Sequence, residues 1–190
     1  EFAKIVEVVS IMKDQDSAME IGRWFGSIFE HYDPQVLNGR TSNADGDYFK
    51  FIGHEMFVIM IAFYVREQAW GILKKIIAEP ILVQNIKYAN GPSNVDWYYA
   101  SDHLPLLLDE STKKKRLSIH SDILNTRHTT GGLSAIISME EFCSTDFFLF
   151  LLGELSKAEY DKGFFEWRPW SVLYMKNVPA FIKYAEQKQY

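Results

Sequence analysis

The sequence predicts a mainly α domain, an irregular multi-helix bundle of six or seven helices with little or no sheet, and three observations lead there. Apolar residues recur at intervals of three and four in one segment after another, the period of a single buried helix face. Prolines and capping residues punctuate those segments at helical lengths. Only ILVQNIKY, from Ile81, reads as a possible strand, and few partners for it are visible. With 190 residues, 47 % hydrophobic and 15 % aromatic against 24 % charged, the chain is expected to fold as one globular helical domain over residues 1–190. Such a chain buries roughly 70 % of the surface it exposes when unfolded, enough for a real core.

From Ala3 to Lys13 the residues Ile5, Val8, Val9 and Met12 define one apolar face. Asp16 or Ser17 then caps a second helix, Ala18 to Tyr32, with Ile21, Trp24, Phe25, Ile28 and Phe29 on its buried side, ending at Asp33-Pro34 because proline biases its predecessor out of helical geometry. The turn-formers of Leu37 to Asp47 read as an exposed loop. Asp47 can cap a long helix, Tyr48 to about Gln68, whose middle, MFVIMIAFYV, is apolar on every side and belongs at the centre of the domain. A shorter helix, Ala69 to Glu79, stops at Pro80. Ala89 to Leu108 is irregular and aromatic, a packed connection with short helical turns. Helices are expected at roughly Glu110 to Arg127, Ser138 to Leu155 and Val178 to Gln187. The second of these opens on Ser138-Met139-Glu140-Glu141, a capping-box pattern.

The formal charge of −5 offers no global attraction to phosphate or anionic lipid, so any such binding rests on a local patch. A single cysteine, Cys143, excludes an internal disulfide and any multi-cysteine zinc site, and suggests a reducing compartment. No signal-peptide pattern opens the sequence, and the longest unbroken apolar run, Met56 to Val65, is about half of the ~20 residues a membrane span needs. A cytoplasmic protein without membrane contact is expected. Glu1-Phe2-Ala3 runs straight into an amphipathic pattern without an initiating methionine, so the chain is expected to be a fragment of a longer protein.

RLSIHSDILNTRHTTGG concentrates the candidate chemistry. Arg116 and His120 stand four apart, and His128 lies eight beyond His120. On one continuous helix the three would line a common groove, with Arg127 beside them. Such a groove would hold RNA phosphate and cleave beside a 2′-hydroxyl, with His120 or His128 as acid or base and Arg116 or Arg127 steadying the phosphate. The arrangement resembles the small all-helical prokaryotic nucleases of the HEPN type, whose arginine and histidine are separated by four to six residues on one helix. Here Arg116 and His120 enclose three residues and Arg23 and His31 enclose seven, so the spacing departs from that motif. A basic helix face with His128 capping before Gly131-Gly132 ranks ahead of it. The run Lys113, Lys114, Lys115, Arg116 spreads around nearly a full helical turn. It reads as a solvated helix start or a docking surface for an acidic partner domain, with nucleic acid possible but not favoured.

Other chemistries find less support. Asn43, Asp45, Gly46 and Asp47 faintly resemble a calcium loop, but the register would place Thr41 and Ile52 at its essential ends. His54 with Glu55, His103 with Asp102 and His120 with Asp122 have no metal-ligand spacing, so no metal is expected. Cys143 is expected to pack, and neither a nucleophile elbow nor a phosphate loop is present, so no cofactor is implied.

WRPWSVLYM, with Arg168 between Trp167 and Trp170, combines the residue types that dominate interface hot spots, although a turn that docks the last helix ranks ahead. Taken in order, RLSIHSDILNTRH, MEEFCSTDFFLFLL and WRPWSVLYM look like the helical regions beside enzymatic or P-loop domains in large bacterial proteins, antiphage defence proteins among them. Over about the last 80 residues that resemblance implies an accessory module and no catalytic residue. The function expected is therefore a non-catalytic interaction, sensing or regulatory module. Its binding residues would be Lys113, Lys114, Lys115, Arg116, Trp167, Arg168 and Trp170, and its partners other domains of the parent protein or a separate protein. The competing expectations are the helical ribonuclease and a small-molecule sensor with an aromatic pocket.

Overall fold

The computed structural model describes residues 1–32, 46–84, 86, 91–102, 104–159 and 167–174. Among them are seven α-helices: α1 (Phe2–Met12), α2 (Gln15–Phe29), α3 (Asp47–Arg66), α4 (Trp70–Ala78), α5 (Pro105–Lys113), α6 (Ile119–Thr129) and α7 (Met139–Glu159). Two three-residue strands, β1 (Ile81–Val83) and β2 (Ser93–Val95), pair antiparallel with Leu82 opposite Asn94. Single 3-10 turns cover Trp97–Ser101 and Trp170–Tyr174. The fold is mainly helical with minimal sheet, as the apolar periodicity implies. The strand at ILV finds its partner in a loop that carries no strand pattern of its own.

α3 is the hub. It is buried from Phe57 to Tyr64 and packs against α1, α2, α4 and α7. Among the described helices it alone is long and apolar enough to cross a membrane, yet 72 % of its most apolar stretch is buried inside the bundle, as a core helix requires. β1 crosses α2 at Gly26, where a Cβ would run into the Leu82 carbonyl, so glycine sets that approach.

Several local expectations are corrected. α1 buries Ala3, Val6, Val9 and Ser10, while Ile5, Val8 and Met12 are exposed. The helix carries two apolar stripes, and the one with small residues lets its backbone approach α2 and α3 closely. In α2, Trp24 faces outward, and the cap is Asp14 rather than Asp16 or Ser17: its Oδ1 accepts from both Asp16 N–H (3.2 Å) and Ser17 N–H (3.4 Å). Asp47 does not cap its own helix. It is the first residue of α3, and its carboxylate accepts from Leu106 N–H at 2.7 Å, satisfying an orphan donor at the start of α5 instead.

The largest correction lies at Glu110 to Arg127, which is two helices rather than one. Lys115 takes a left-handed conformation (φ 52°). Lys115 N–H bonds the Thr112 carbonyl and Arg116 N–H reaches the Ser111 carbonyl, a Schellman ending without its usual glycine. α6 then starts afresh at Ser118, whose hydroxyl accepts from Ser121 N–H, with Ser111 Oγ accepting from Ile119 N–H. The capping box of α7 forms as expected, Ser138 and Glu141 exchanging bonds. The Leu37 to Asp45 loop, His103 and the Val178 to Gln187 helix lie outside the described residues.

Candidate functional site

α6 turns a polar stripe inward. His120, Ser121, Leu124 and His128 are all buried, facing His54 and Glu55 of α3 and Phe142 of α7. Three histidines, two acids and an arginine thus meet in the middle of the bundle, in two nodes of different character.

In the first node the charges are paired, although His128 Nε2 has no hydrogen-bond partner. Glu55 takes Arg127 in a bidentate pair, Nε at 2.7 Å and Nη2 at 2.8 Å. Its Oε1 also lies 3.2 Å from His128 Nε2, and His128 Nδ1 meets the Ile137 carbonyl at 3.0 Å. Burial pushes the Glu55 pKa up, but the contacts from His128 and Arg127 outweigh it and hold the carboxyl below its ordinary value. About one turn along α7 from Phe142, Asp146 is fully served. It accepts from Trp167 Nε1–H (2.8 Å), Ser171 N–H (2.9 Å) and Ser171 Oγ–H (2.7 Å), and so pins the Trp167 to Tyr174 strap to the bundle.

The second node is unsatisfied. The rings of His54 and His120 stand edge to face with centroids 5.2 Å apart, and His120 stacks toward Trp170 at 5.1 Å. Neither nitrogen of His54 or His120, nor Trp170 Nε1, has a hydrogen-bond partner although all are buried. His54 Nε2 lies 3.4 Å from Asp146 Oδ1, close enough for charge attraction but poorly aligned for a hydrogen bond. Burial, and then the charge of His54, drives the His120 pKa well below its ordinary value, so the imidazole is neutral near pH 7. Among the described residues no three His, Cys, Asp or Glu side chains converge as a metal ligand set.

The sequence-derived residues separate in space. Arg116 sits on the junction between α5 and α6, exposed, and forms a bidentate pair with Asp122 at 2.8 Å for both bonds. His120 faces the core, so the structure does not bring Arg116 and His120 together. His128 is a core residue rather than a helix cap, and Arg127 is committed to Glu55. Lys113 and Lys114 both reach Glu110, at 3.1 and 3.5 Å, and these exposed pairs contribute little. Trp167 is buried against Trp97 and His54, Arg168 is tied through its backbone N–H and carbonyl to Ser101, and Trp170 packs on His120. Cys143 donates to the Ser171 carbonyl, and burial raises its thiol to about 11, which suits packing rather than attack.

Sequence reasoning missed Asp146 and the link between His54 and His120. Asp146 had a readable signal, a lone acid inside FCSTDFFLFLL, since a carboxylate in an apolar run is buried with partners or not at all. The histidine pairing had none, because their 66-residue separation leaves no local pattern.

A helical bundle with an inward polar stripe and an outward basic junction is the class of protein that this fold and site define. Comparison with protein-family models, curated proteins and solved structures finds no match.

Proposed function

We propose that this chain is a non-catalytic interaction, sensing or regulatory module of a cytoplasmic bacterial multidomain protein. The observation that carries the reading is how the polar groups are distributed. The groups an acid–base reaction would draw on, His120, His128, Glu55 and Asp146, are buried, each against a neighbour from the same set or against His54. Lys113, Lys114, Lys115 and Arg116 are exposed at the junction between α5 and α6. General acid–base catalysis needs a group within hydrogen-bond reach of a substrate, and binding needs only an accessible face. The multidomain setting rests on the order of the RLSIHSDILNTRH, MEEFCSTDFFLFLL and WRPWSVLYM segments.

The test is RNA and DNA binding and cleavage by the purified chain, wild type beside the double variant Arg116→Ala, His120→Ala, at low and high salt. No cleavage by either protein is the expected result. Cleavage by wild type that disappears in the variant, with the variant's fold intact by circular dichroism, overturns the reading in favour of the nuclease.

A further inference from the structure

Between α5 and the start of α6 lies a cleft of about 30 Å³, walled by Leu104, Leu107, Leu108 and Leu117 and floored by His120 and Trp170. That is room for a water or two, or for the tip of one apolar side chain. The cleft also touches Ser111 and Ser118, but Ser111 Oγ accepts from Ile119 N–H across the junction and Ser118 Oγ accepts from Ser121 N–H as the cap of α6. Its walls are therefore effectively apolar. Leu117 is 88 % exposed, and Leu108, which lines the same cleft, is exposed as well. A leucine this open on a helix junction gains nothing from the fold, and a contiguous group of them marks a contact surface.

The exposed charges next to the cleft are mostly cationic, with Asp109 the exposed acid among them. The side chains of Lys113, Lys114 and Arg116 are 67, 62 and 55 % exposed, while their acidic partners Glu110 and Asp122 are 32 and 26 % exposed. Glu110 and Asp122 are thus the more enclosed partners, and the cations follow one another in the chain between the cleft residues Ser111 and Leu117. Lys115 is exposed as well and has no ion-pair partner among the described residues. Exposed pairs of this kind are readily exchanged, so an incoming carboxylate can take over the same cations. The positive end of α6, beginning at Ser118 on the edge of the cleft, adds to the same sign. On a chain of net charge −5 this run of four cations gives an anion-bearing partner a favourable local field.

We infer that this cleft docks an acidic peptide segment of a partner protein: an aliphatic or aromatic side chain enters between Leu107, Leu108 and Leu117, and flanking Asp and Glu residues meet Lys113, Lys114, Lys115 and Arg116. The inference rests on the interaction-module reading and names the partner's chemistry. Nucleic acid fits this surface less well. A cleft of about 30 Å³ does not admit a nucleobase, so Trp170 and His120 at its floor provide no stacking platform.

The experiment is fluorescence polarisation on the full chain with three labelled probes: an acidic peptide containing leucine and phenylalanine, the same peptide with those residues changed to serine, and a short single-stranded RNA. Two variants accompany wild type, Leu117→Ser and the double charge reversal Lys114→Glu, Lys115→Glu, all at exposed positions where the fold is retained. The apolar acidic peptide is expected to bind wild type and to weaken about tenfold in each variant, with the charge reversal losing its effect at high salt. Equal binding of the serine peptide, preference for RNA, binding that ignores both variants, or no peptide binding overturns the inference. Loss of peptide binding without RNA cleavage leaves the interaction-module reading standing, whereas RNA cleavage ends both.

Discussion

Two polar clusters sit under the same Trp167 to Tyr174 strap and differ in almost every respect that matters for stability. Around Asp146 a buried carboxylate has each oxygen occupied, by an indole N–H, a backbone N–H and a hydroxyl. Around His120, five buried nitrogens on three rings have no partner. The difference teaches where polarity holds this fold together and where the fold merely tolerates it. A satisfied buried charge is costly to remove because its partners are then orphaned, whereas an unsatisfied neutral ring already bears its desolvation cost.

The largest expected effect breaks the satisfied side. Asp146→Ala strands Trp167 Nε1 and both donors of Ser171 at once, and should destabilise the chain by about 3–5 kcal/mol in urea denaturation. A loss below about 1 kcal/mol would mean that the strap is held by packing alone. Next comes Glu55→Gln, which leaves Arg127 and His128 without their carboxylate. Because the Arg127 side chain is partly exposed, water recovers some of the loss, and about 1–3 kcal/mol is expected.

Acid separates the two clusters by window. His120 resists protonation when folded but takes a proton near its ordinary pKa of about 6.5 when unfolded. The unfolded state therefore binds more protons below that pH, and stability should fall as pH drops from about 6.5, by about 1.4 kcal/mol per pH unit for one proton. Glu55, held below its ordinary value, gives up its contribution only at lower pH, below about 4.5. His120→Phe keeps the ring contacts with Phe51 and Trp170 and removes two orphan nitrogens. It should be neutral to stabilising by about 1–2 kcal/mol at pH 7, and should flatten the decline between pH 6.5 and 5. An unchanged pH profile in this variant would show that His120 is not the group responsible.

The smallest effect is a control that touches neither cluster. Lys115→Gly places glycine at a left-handed helix end and should raise stability by about 0.5–1 kcal/mol, visible as a higher Tm.

Much of the architecture was legible before any coordinates. The all-round apolarity of MFVIMIAFYV marked the hub helix, Pro80 marked the end of α4, and Ser138 with Glu141 marked the start of α7, because each is a local rule that tertiary structure had no reason to override. The break after Lys113 was not legible. Helix ends normally announce themselves through glycine or proline, and here lysine adopts the left-handed conformation, held by the Schellman bonds and by Ser111 reaching forward to Ile119. That single break carried the candidate site with it. It turned Arg116 out to Asp122 while His120 stayed with the core, so residues four apart in sequence came to belong to different surfaces.

The helical class, the central helix and a basic run beside two histidines follow from period, capping and composition, and so are written in the order of the residues. Only the tertiary structure decided which apolar stripe of α1 faces inward, that His54 and His120 meet, and that Asp146 rather than any predicted site residue anchors the strap. The physical reason is common to all three. Each is settled by the fit between elements distant in sequence, where the volume of small residues and the satisfaction of buried polar groups choose among faces that are locally equivalent.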